Sequence, residues 1–376
     1  MKALFAVLAI IAFSVSVHSQ NTCVTPNGEQ AQCISIYKCK VFTDALANRT
    51  SEVVKFLRES RCGYVEDPLV CCGSVAKYQY ISTQAPPTTE PPNIQNHRNL
   101  NLLPNLKKCG LQVFSERVLG GNATDIDEFP WMAILEYKKN GKSAGHNCGG
   151  ILINERYVLT AAHCIVGKIK SEIGDVFRVR LGEYNKDTEK DCIIRQGIED
   201  CADPHQDIDI EEAIAHKEYV GIGGRYHDIG ILRLSEKAKY SEFVRPICLP
   251  LNGQKSSPGE ELAVAGWGFT ERNVYSPVKL KVNLPIVTDQ SCSRVFKSRY
   301  NVEITKTQLC AGGKSGQDSC YGDSGGPLMR TMPGKDNFYV EGVVSFGALC
   351  GQEGLPGIYT RVSEYLNWIL DNMKPF

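Results

Sequence analysis

The sequence has no excess of charge of either sign. Its Lys and Arg residues number 42, and so do its Asp and Glu residues. A surface built to hold nucleic acid or an acidic membrane needs a surplus of cations, so neither partner is expected. Histidine is scarce, with seven in 376 residues. No paired short spacing of cysteine and histidine of the zinc-binding kind occurs. Long apolar runs are missing after the first residues, so no later segment is expected to span a membrane. The run Ala3 to Val15, behind Lys2, is shorter than the roughly 20 residues a span needs. Val17 and Ser19 stand three and one residues before a cut that leaves Gln20 first, so residues 1–19 read as a secretory signal. The alternative for this run is a membrane anchor.

What is abundant is cysteine. Sixteen residues, an even count in an exported chain, predict eight disulfides. The length suits two domains and a connector better than one core. Six cysteines, Cys23, Cys33, Cys39, Cys62, Cys71 and Cys72, fall in residues 20–72, a segment too short to bury much core without covalent staples. Within it SEVVKFLRES, 51–60, has helix-forming composition, with Val53, Val54 and Leu57 on one face. From residue 73 Pro86, Pro87, Pro91 and Pro92 stand among threonine, glutamine and asparagine, so 73–108 reads as exposed, extended linker leading to a boundary at 117. From Val118 to Phe376 short apolar runs alternate with glycine and polar turns, which predicts an all-β barrel or sandwich. Tyr365, Leu366, Ile369, Leu370 and Met373 follow helical spacing after Ser363, a good N-cap, so the domain is expected to close with an amphipathic helix docked on the barrel.

DSCYGDSGGP, 318–327, surrounds Ser324 with almost no side-chain bulk. A serine hydroxyl is a poor nucleophile unless a base takes its proton. His163 lies in LTAAHC at the end of a strand-like run, and Asp228 opens DIGILRL, where a buried acid needs a partner. Taken singly each is ambiguous: a lone histidine is more often a surface or satisfied core residue, and a lone GDSGG is compatible with a glycine-rich turn.

TAAHC, DIGIL and GDSGGP in that order resemble the chymotrypsin-fold (S1 family) serine proteases over the whole of 118–376. The resemblance implies a mainly β fold of two six-stranded antiparallel β-barrels with a C-terminal helix. It implies that Ser324 attacks a carbonyl, His163 relays the proton, and Asp228 orients the imidazole. It gives the backbone N–H groups of Gly322 and Ser324 as an oxyanion hole. Asp318, Gly347 and Gly357 match a trypsin-type pocket for Arg or Lys. In SERVLGGNA, cutting between Arg117 and Val118 would free an ammonium to pair with Asp323, so an inactive zymogen is expected. Val-Leu-Gly-Gly replaces the family's usual Ile-Val-Gly-Gly.

The family pairing implies disulfides Cys148–Cys164, Cys292–Cys310, Cys320–Cys350 and Cys109–Cys248, the last keeping the amino-terminal region attached after the cut. Cys192 and Cys201, extra to the minimal set, are expected to pair locally. The first six cysteines resemble the clip domain of arthropod clip-domain proteases, with pairs Cys23–Cys71, Cys33–Cys62 and Cys39–Cys72; sequence alone allows fifteen connectivities. LGEYNKDTEKD, 181–191, is similar to the family's calcium loop, with Glu183 and Asp191 carboxylates and main-chain oxygens of Asn185 and Thr188 as ligands for Ca²⁺, or else a solvated acidic turn. Asn48 and Asn122 are glycosylation acceptors.

One clip, a linker and a trypsin-like domain with a Cys192–Cys201 loop are similar to insect prophenoloxidase-activating enzymes and to Easter-like proteases that process a Toll ligand. That likeness implies a haemolymph cascade, an upstream activating trypsin-like protease, a protein substrate (prophenoloxidase or a clip-domain cofactor precursor) and a serpin inhibitor. A catalytically dead clip cofactor is the alternative from a different class, and the presence of Ser324, His163 and Asp228 discriminates against it. A digestive trypsin leaves 20–117 unexplained.

Overall fold

The computed structural model describes residues 22–46, 51–64, 67–76, 94–112, 123–195, 197–220, 225–251, 253, 255–270, 274–315, 322–331, 334–347 and 350–375. The secretory segment, Asn48, Asn122, the Arg117–Val118 bond, Asp318 and Cys320 lie outside the described residues. The chain forms two compact units, Met1–Thr89 and Glu90–Phe376.

In the first unit β1 (Thr22–Val24), β2 (Gln30–Ser35), β3 (Arg61–Tyr64) and β4 (Pro68–Cys72) make an antiparallel sheet in the order β1-β2-β4-β3. Helices α1 (Lys40–Leu46) and α2 (Ser51–Glu59) lie between β2 and β3 in sequence. The disulfides are Cys23–Cys71, Cys33–Cys62 and Cys39–Cys72. Loop closure by such bridges contributes about 2–4 kcal/mol each, which this small core needs. The expected helix forms, but its inward residue is Phe56, fully buried against Phe42 with ring centroids 6.1 Å apart. Phe56 and the buried Ser60, whose Oγ–H donates to the Phe56 carbonyl at 2.7 Å, define the face with half-buried Val53. Leu57 packs on the same core, so Phe56 joins the expected face rather than replacing it. A buried aromatic ring dominates such a face by area, and the aliphatic pattern alone did not single it out.

The second unit holds two closed barrels. The first contains β5 (Met132–Lys139), β6 (Lys142–Leu152), β7 (Tyr157–Thr160) and β8 (Asp175–Leu181), with helix α3 (Lys168–Glu172) between β7 and β8. After the hairpin β9 (Cys192–Arg195) and β10 (Ile198–Cys201), β11 (Gln206–Ala215) and β12 (Gly230–Leu234) complete it in the order β11-β12-β7-β6-β5-β8. The second contains β13 (Glu261–Gly266), β14 (Leu280–Val287), β15 (Gln308–Gly312), β16 (Pro327–Thr331), β17 (Phe338–Phe346) and β18 (Pro356–Arg361), ordered β13-β14-β15-β18-β17-β16, with helix α4 (Asp289–Tyr300) between β14 and β15. Closure leaves neither sheet an unpaired edge. Trp131, Leu135, Tyr137, Ile151, Leu159 and Ile231 fill the first core, and Leu262, Leu284, Leu328 and Tyr359 the second.

Helix α5 (Leu366–Asp371) closes the chain, and Tyr365, Leu366, Ile369, Leu370 and Met373 are all buried in the first core. Ser363 does not cap it. It lies inside a 3₁₀ turn, Val362–Glu364, and its Oγ is buried without a hydrogen-bond partner among the described residues. The helix begins at Leu366, after Tyr365, with no side-chain cap.

The linker expectation needs correction in its second half. Ile94, Leu100, Leu102 and Leu103 pack on the first barrel's core. Asn99 Nδ2 donates to the carbonyls of Leu370 (2.9 Å) and Met373 (2.8 Å), and Asn337 Nδ2 to those of Leu106 and Cys109, each at 2.8 Å. Four scattered leucine and isoleucine side chains were too sparse to show a period, yet each finds an apolar neighbour.

Candidate active site

The site is assembled by strand pairing. β7 and β12 are antiparallel neighbours, with Thr160 opposite Gly230. His163, in the 3₁₀ turn after β7, and Asp228, just before β12, therefore emerge at the same end of the barrel. The Asp228 carboxylate meets the His163 ring, Oδ2 to Nδ1, at 2.8 Å, and Oδ1 accepts the His163 backbone N–H at 2.9 Å. Ser345 Oγ–H donates to Oδ2 at 2.5 Å, and Thr360 Oγ1–H to the Asp228 carbonyl at 2.7 Å. Neither Ser345 nor Thr360 was singled out in the sequence; hydroxyl residues inside apolar strands were the available signal. Tyr137 adds a further hold, its hydroxyl donating to the Cys164 carbonyl at 2.8 Å.

Electrostatics follow from burial. Asp228 is 3 % exposed. Burial alone would push its carboxyl up, but the His163 charge and hydrogen bonds from His163 and Ser345 together hold it below the ordinary carboxylate range. For His163 burial pushes the imidazole down, and the Asp228 carboxylate and its hydrogen bond override this, leaving it above the ordinary value.

The serine loop comes from the second barrel. Gly149 N–H donates to the Ser324 carbonyl at 2.8 Å, and Cys164 Sγ lies 3.7 Å from the same oxygen. Cys148–Cys164 is a disulfide, so the staple that holds the His163 turn also touches the Ser324 main chain. Gly325, at φ +80°, has no room for a side chain: a Cβ would stand 2.2 Å from Thr160 Oγ1 and 2.5 Å from the Gly149 carbonyl. Gly322 adopts φ +97°. The N–H groups of Gly322 and Ser324 find no acceptor among the described residues.

Asp323 turns the other way. Its Oδ1 accepts the Gly268 N–H at 3.0 Å. A Cβ on Gly266 would lie 2.1 Å from that oxygen, so the Gly266-Trp267-Gly268 segment is bare where the carboxylate rests. Beside it Met132, Ile134, Trp267, Tyr275 and Lys186 line a cleft. Gly347 and Gly357 face each other: among the described residues a Cβ on Gly347 would meet only the Gly357 Cα, at 4.0 Å. No side chain of the described residues enters the space between them. Asp318 lies outside the described residues.

The acidic loop draws Glu183 and Asp191 together, both buried. Burial, then the charge of Asp191, pushes the Glu183 carboxyl up. Asp191 Oδ2 accepts the N–H groups of Tyr184 and Asn185, each at 3.0 Å, and Thr188 Oγ1–H donates to its Oδ1 at 2.5 Å. Arg180 Nη1 stands 3.3 Å from Glu183 Oε2, and the Asn185 carbonyl accepts from the Thr188 N–H and hydroxyl, so the two hard carboxylates are the oxygen ligands this loop offers a cation. Lys279, also buried, is pushed down to about 8 by burial, against the pull of Glu128, Asp127, Glu183 and Asp191.

The remaining described disulfides are Cys109–Cys248, Cys192–Cys201 and Cys292–Cys310; Cys350 is also disulfide-bonded.

Two closed six-stranded β-barrels carrying a serine, a half-buried histidine paired with a buried aspartate, and bare-glycine loops define the chymotrypsin-like class of serine protease. The trypsin family matches residues 118–369 and the regulatory CLIP domain of proteinases matches 23–72, and the chain belongs to the trypsin family, with a clip domain ahead of the protease. It is 44% identical over 362 residues to phenoloxidase-activating factor 1 of Holotrichia diomphalia, covering 96% of this chain and 95% of that one. It is 42% identical over 375 residues to phenoloxidase-activating enzyme 1 of Spodoptera litura, covering 96% of each. Among solved structures, the Drosophila Grass clip serine protease of the Toll pathway matches with a TM-score of 0.61 and 33% identity, over 94% of this chain and 97% of that one.

Proposed function

We propose that the chain is the zymogen of an extracellular endopeptidase that cuts after Arg or Lys within a melanization cascade of the haemolymph. Ser324 is the nucleophile, His163 its general base and then the acid that protonates the leaving amine, and Asp228 the group that fixes the imidazole tautomer and favours the imidazolium. The N–H groups of Gly322 and Ser324 take the oxyanion; losing one such donor typically costs about 10²- to 10³-fold in rate. Asp318, Gly347 and Gly357 make the pocket for the basic side chain.

The observation that carries the zymogen proposal is the Asp323 carboxylate resting on Gly266 and Gly268 beside a partly apolar cleft. Cutting at Arg117–Val118, by an upstream trypsin-like protease, frees a Val118 ammonium for that carboxylate, and the gain reorders the Ser324 loop. Removing one partner of a buried ion pair costs roughly 3–5 kcal/mol, enough to move a loop between two states. The Glu183–Asp191 loop, through its two carboxylates, holds Ca²⁺ as a structural brace. A serpin is the matching class of inhibitor.

The names of two relatives, phenoloxidase-activating factor 1 and phenoloxidase-activating enzyme 1, support prophenoloxidase as the substrate, with a clip-domain cofactor precursor as the other candidate. A second reading, processing of a Toll-ligand precursor, is favoured by the match to Grass, a clip serine protease of the Toll pathway. Incubating the cut enzyme with each precursor and sequencing the new amino termini separates them. Cuts after apolar or acidic residues would overturn the assigned pocket.

A further inference from the structure

The loop joining β11 to β12, 216–229, ends at the catalytic aspartate and carries a feature the triad does not use. His216 and His227 stack, with ring centroids 4.9 Å apart and planes inclined by 13°. His227 directly precedes Asp228 and holds φ +56°, left-handed backbone that few residues other than glycine adopt, though histidine is among those found there more often. Its side chain is gripped at both nitrogens. The Tyr365 hydroxyl, at the start of α5, stands 3.0 Å from Nδ1, and Glu218 Oε2 stands 3.3 Å from Nε2.

His216 is fixed as well. Its Nδ1 accepts the Glu218 backbone N–H at 3.2 Å. An N–H group only donates, so Nδ1 carries no proton and the ring is neutral in this arrangement. Its backbone N–H donates to the Ile229 carbonyl at 3.0 Å, tying it to the residue after Asp228. Groups facing the ring are Lys217 and Glu218 from its own turn, His227 across the stack, and Tyr365 and Trp368 from the C-terminal segment, with ring centroids at 5.5 and 5.1 Å.

We propose that the stacked His216–His227 pair is a positioning element for Asp228, and that adding a proton to His216 disengages it. A proton on Nδ1 sets N–H against N–H, breaks the bond from Glu218, and places a positive ring on its stacked partner. The left-handed turn at His227 then loses the stacked ring that supports it, and Asp228 loses its aim at His163 Nδ1. Burial, then the charge of His227, holds the His216 imidazole below its ordinary value, whereas that of His163 is held above. The two protons therefore arrive at separate pH values, His163 first as pH falls. Asp228 itself, held below the usual carboxylate range, stays ionised through this interval.

The test is the pH profile of kcat/KM for the cut enzyme on an arginyl amide. It is normalised to sites titrated by a fluorophosphonate, over the range in which the near-ultraviolet spectrum matches that at neutral pH. The expected acid limb starts with a slope of one and steepens to two. His216→Gln, which keeps an acceptor oxygen and takes no proton, is expected to hold a slope of one throughout. At neutral pH His227→Ala is expected to lower kcat about tenfold with KM unchanged, and His227→Asn, which tolerates the left-handed turn, to recover most of it. A wild-type slope of one throughout, or a His216→Gln profile as steep as wild type, overturns the proposal. So does a His227→Ala enzyme with full kcat.

Discussion

At the residue scale the pair that matters is His163 and Asp228, and its behaviour follows from which state each environment favours. The active base is neutral imidazole, and a carboxylate 2.8 Å from Nδ1 favours the charged form. Raising that pKa moves the acid limb of kcat/KM upward, so half-maximal activity is expected at a pH above the ordinary histidine value of about 6.5. Replacing the carboxylate by an amide removes the pull: Asp228→Asn is expected to lower kcat by about 10⁴ and to shift the limb to lower pH, both read from one profile. These residues were legible because three short motifs in fixed order leave little freedom. Ser345 and Thr360, which hold Asp228 from two sides, were not, since nothing in one chain of letters says that a serine on β17 points at an acid 117 positions away. Phe56 teaches the same lesson in the clip unit, where the decisive contact is with Phe42 from another helix.

At the element scale the barrels were legible as class and not as pairing. Alternating short apolar runs announce strands; only closure decides that β7 neighbours β12 and so aligns His163 with Asp228. The C-terminal stripe was read from its period, whereas the cap at Ser363 failed because a 3₁₀ turn absorbs that residue. Two predictions belong here. Gly268→Ala puts a Cβ 2.6 Å from the Asp323 carboxyl carbon, so this carboxylate has to leave its resting place. The uncut variant is expected to melt at a lower temperature than the uncut wild type, by scanning calorimetry. For the Glu183–Asp191 loop, Ca²⁺ at 100 times its dissociation constant stabilises by about 2.7 kcal/mol, a rise of roughly 5–10 °C for a domain of this size. Asp191→Asn is expected to abolish most of that rise, and an unchanged melting temperature with and without Ca²⁺ in the wild type would remove the ion from the account.

At the scale of the whole molecule, covalent bonds decide what remains together. Cys109 precedes the Arg117–Val118 bond and pairs with Cys248, inside the protease unit, while 94–112 packs along the same unit. The cut enzyme is therefore expected to migrate as one species on a non-reducing gel and as two after reduction. Cys109→Ser with Cys248→Ser is expected to weaken the hold on the light chain without removing it, because the contacts of Asn99 and Asn337 persist; size-exclusion chromatography at falling concentration reads the difference. The clip unit is held by three bridges around a core of a few residues, so reduction should unfold it while the barrels keep their strands.

Under the proposed zymogen mechanism a new Val118 amino terminus, not a change elsewhere, turns this fold from silent to active. The direct measurement is the rate of arginyl-amide hydrolysis against the fraction of chains cut at Arg117–Val118, for wild type and for Arg117→Gln, with amino-terminal sequencing of each sample. Activity is expected to rise in proportion to chains beginning Val-Leu-Gly-Gly and to stay near zero in Arg117→Gln. Equal hydrolysis by uncut and cut protein would contradict it.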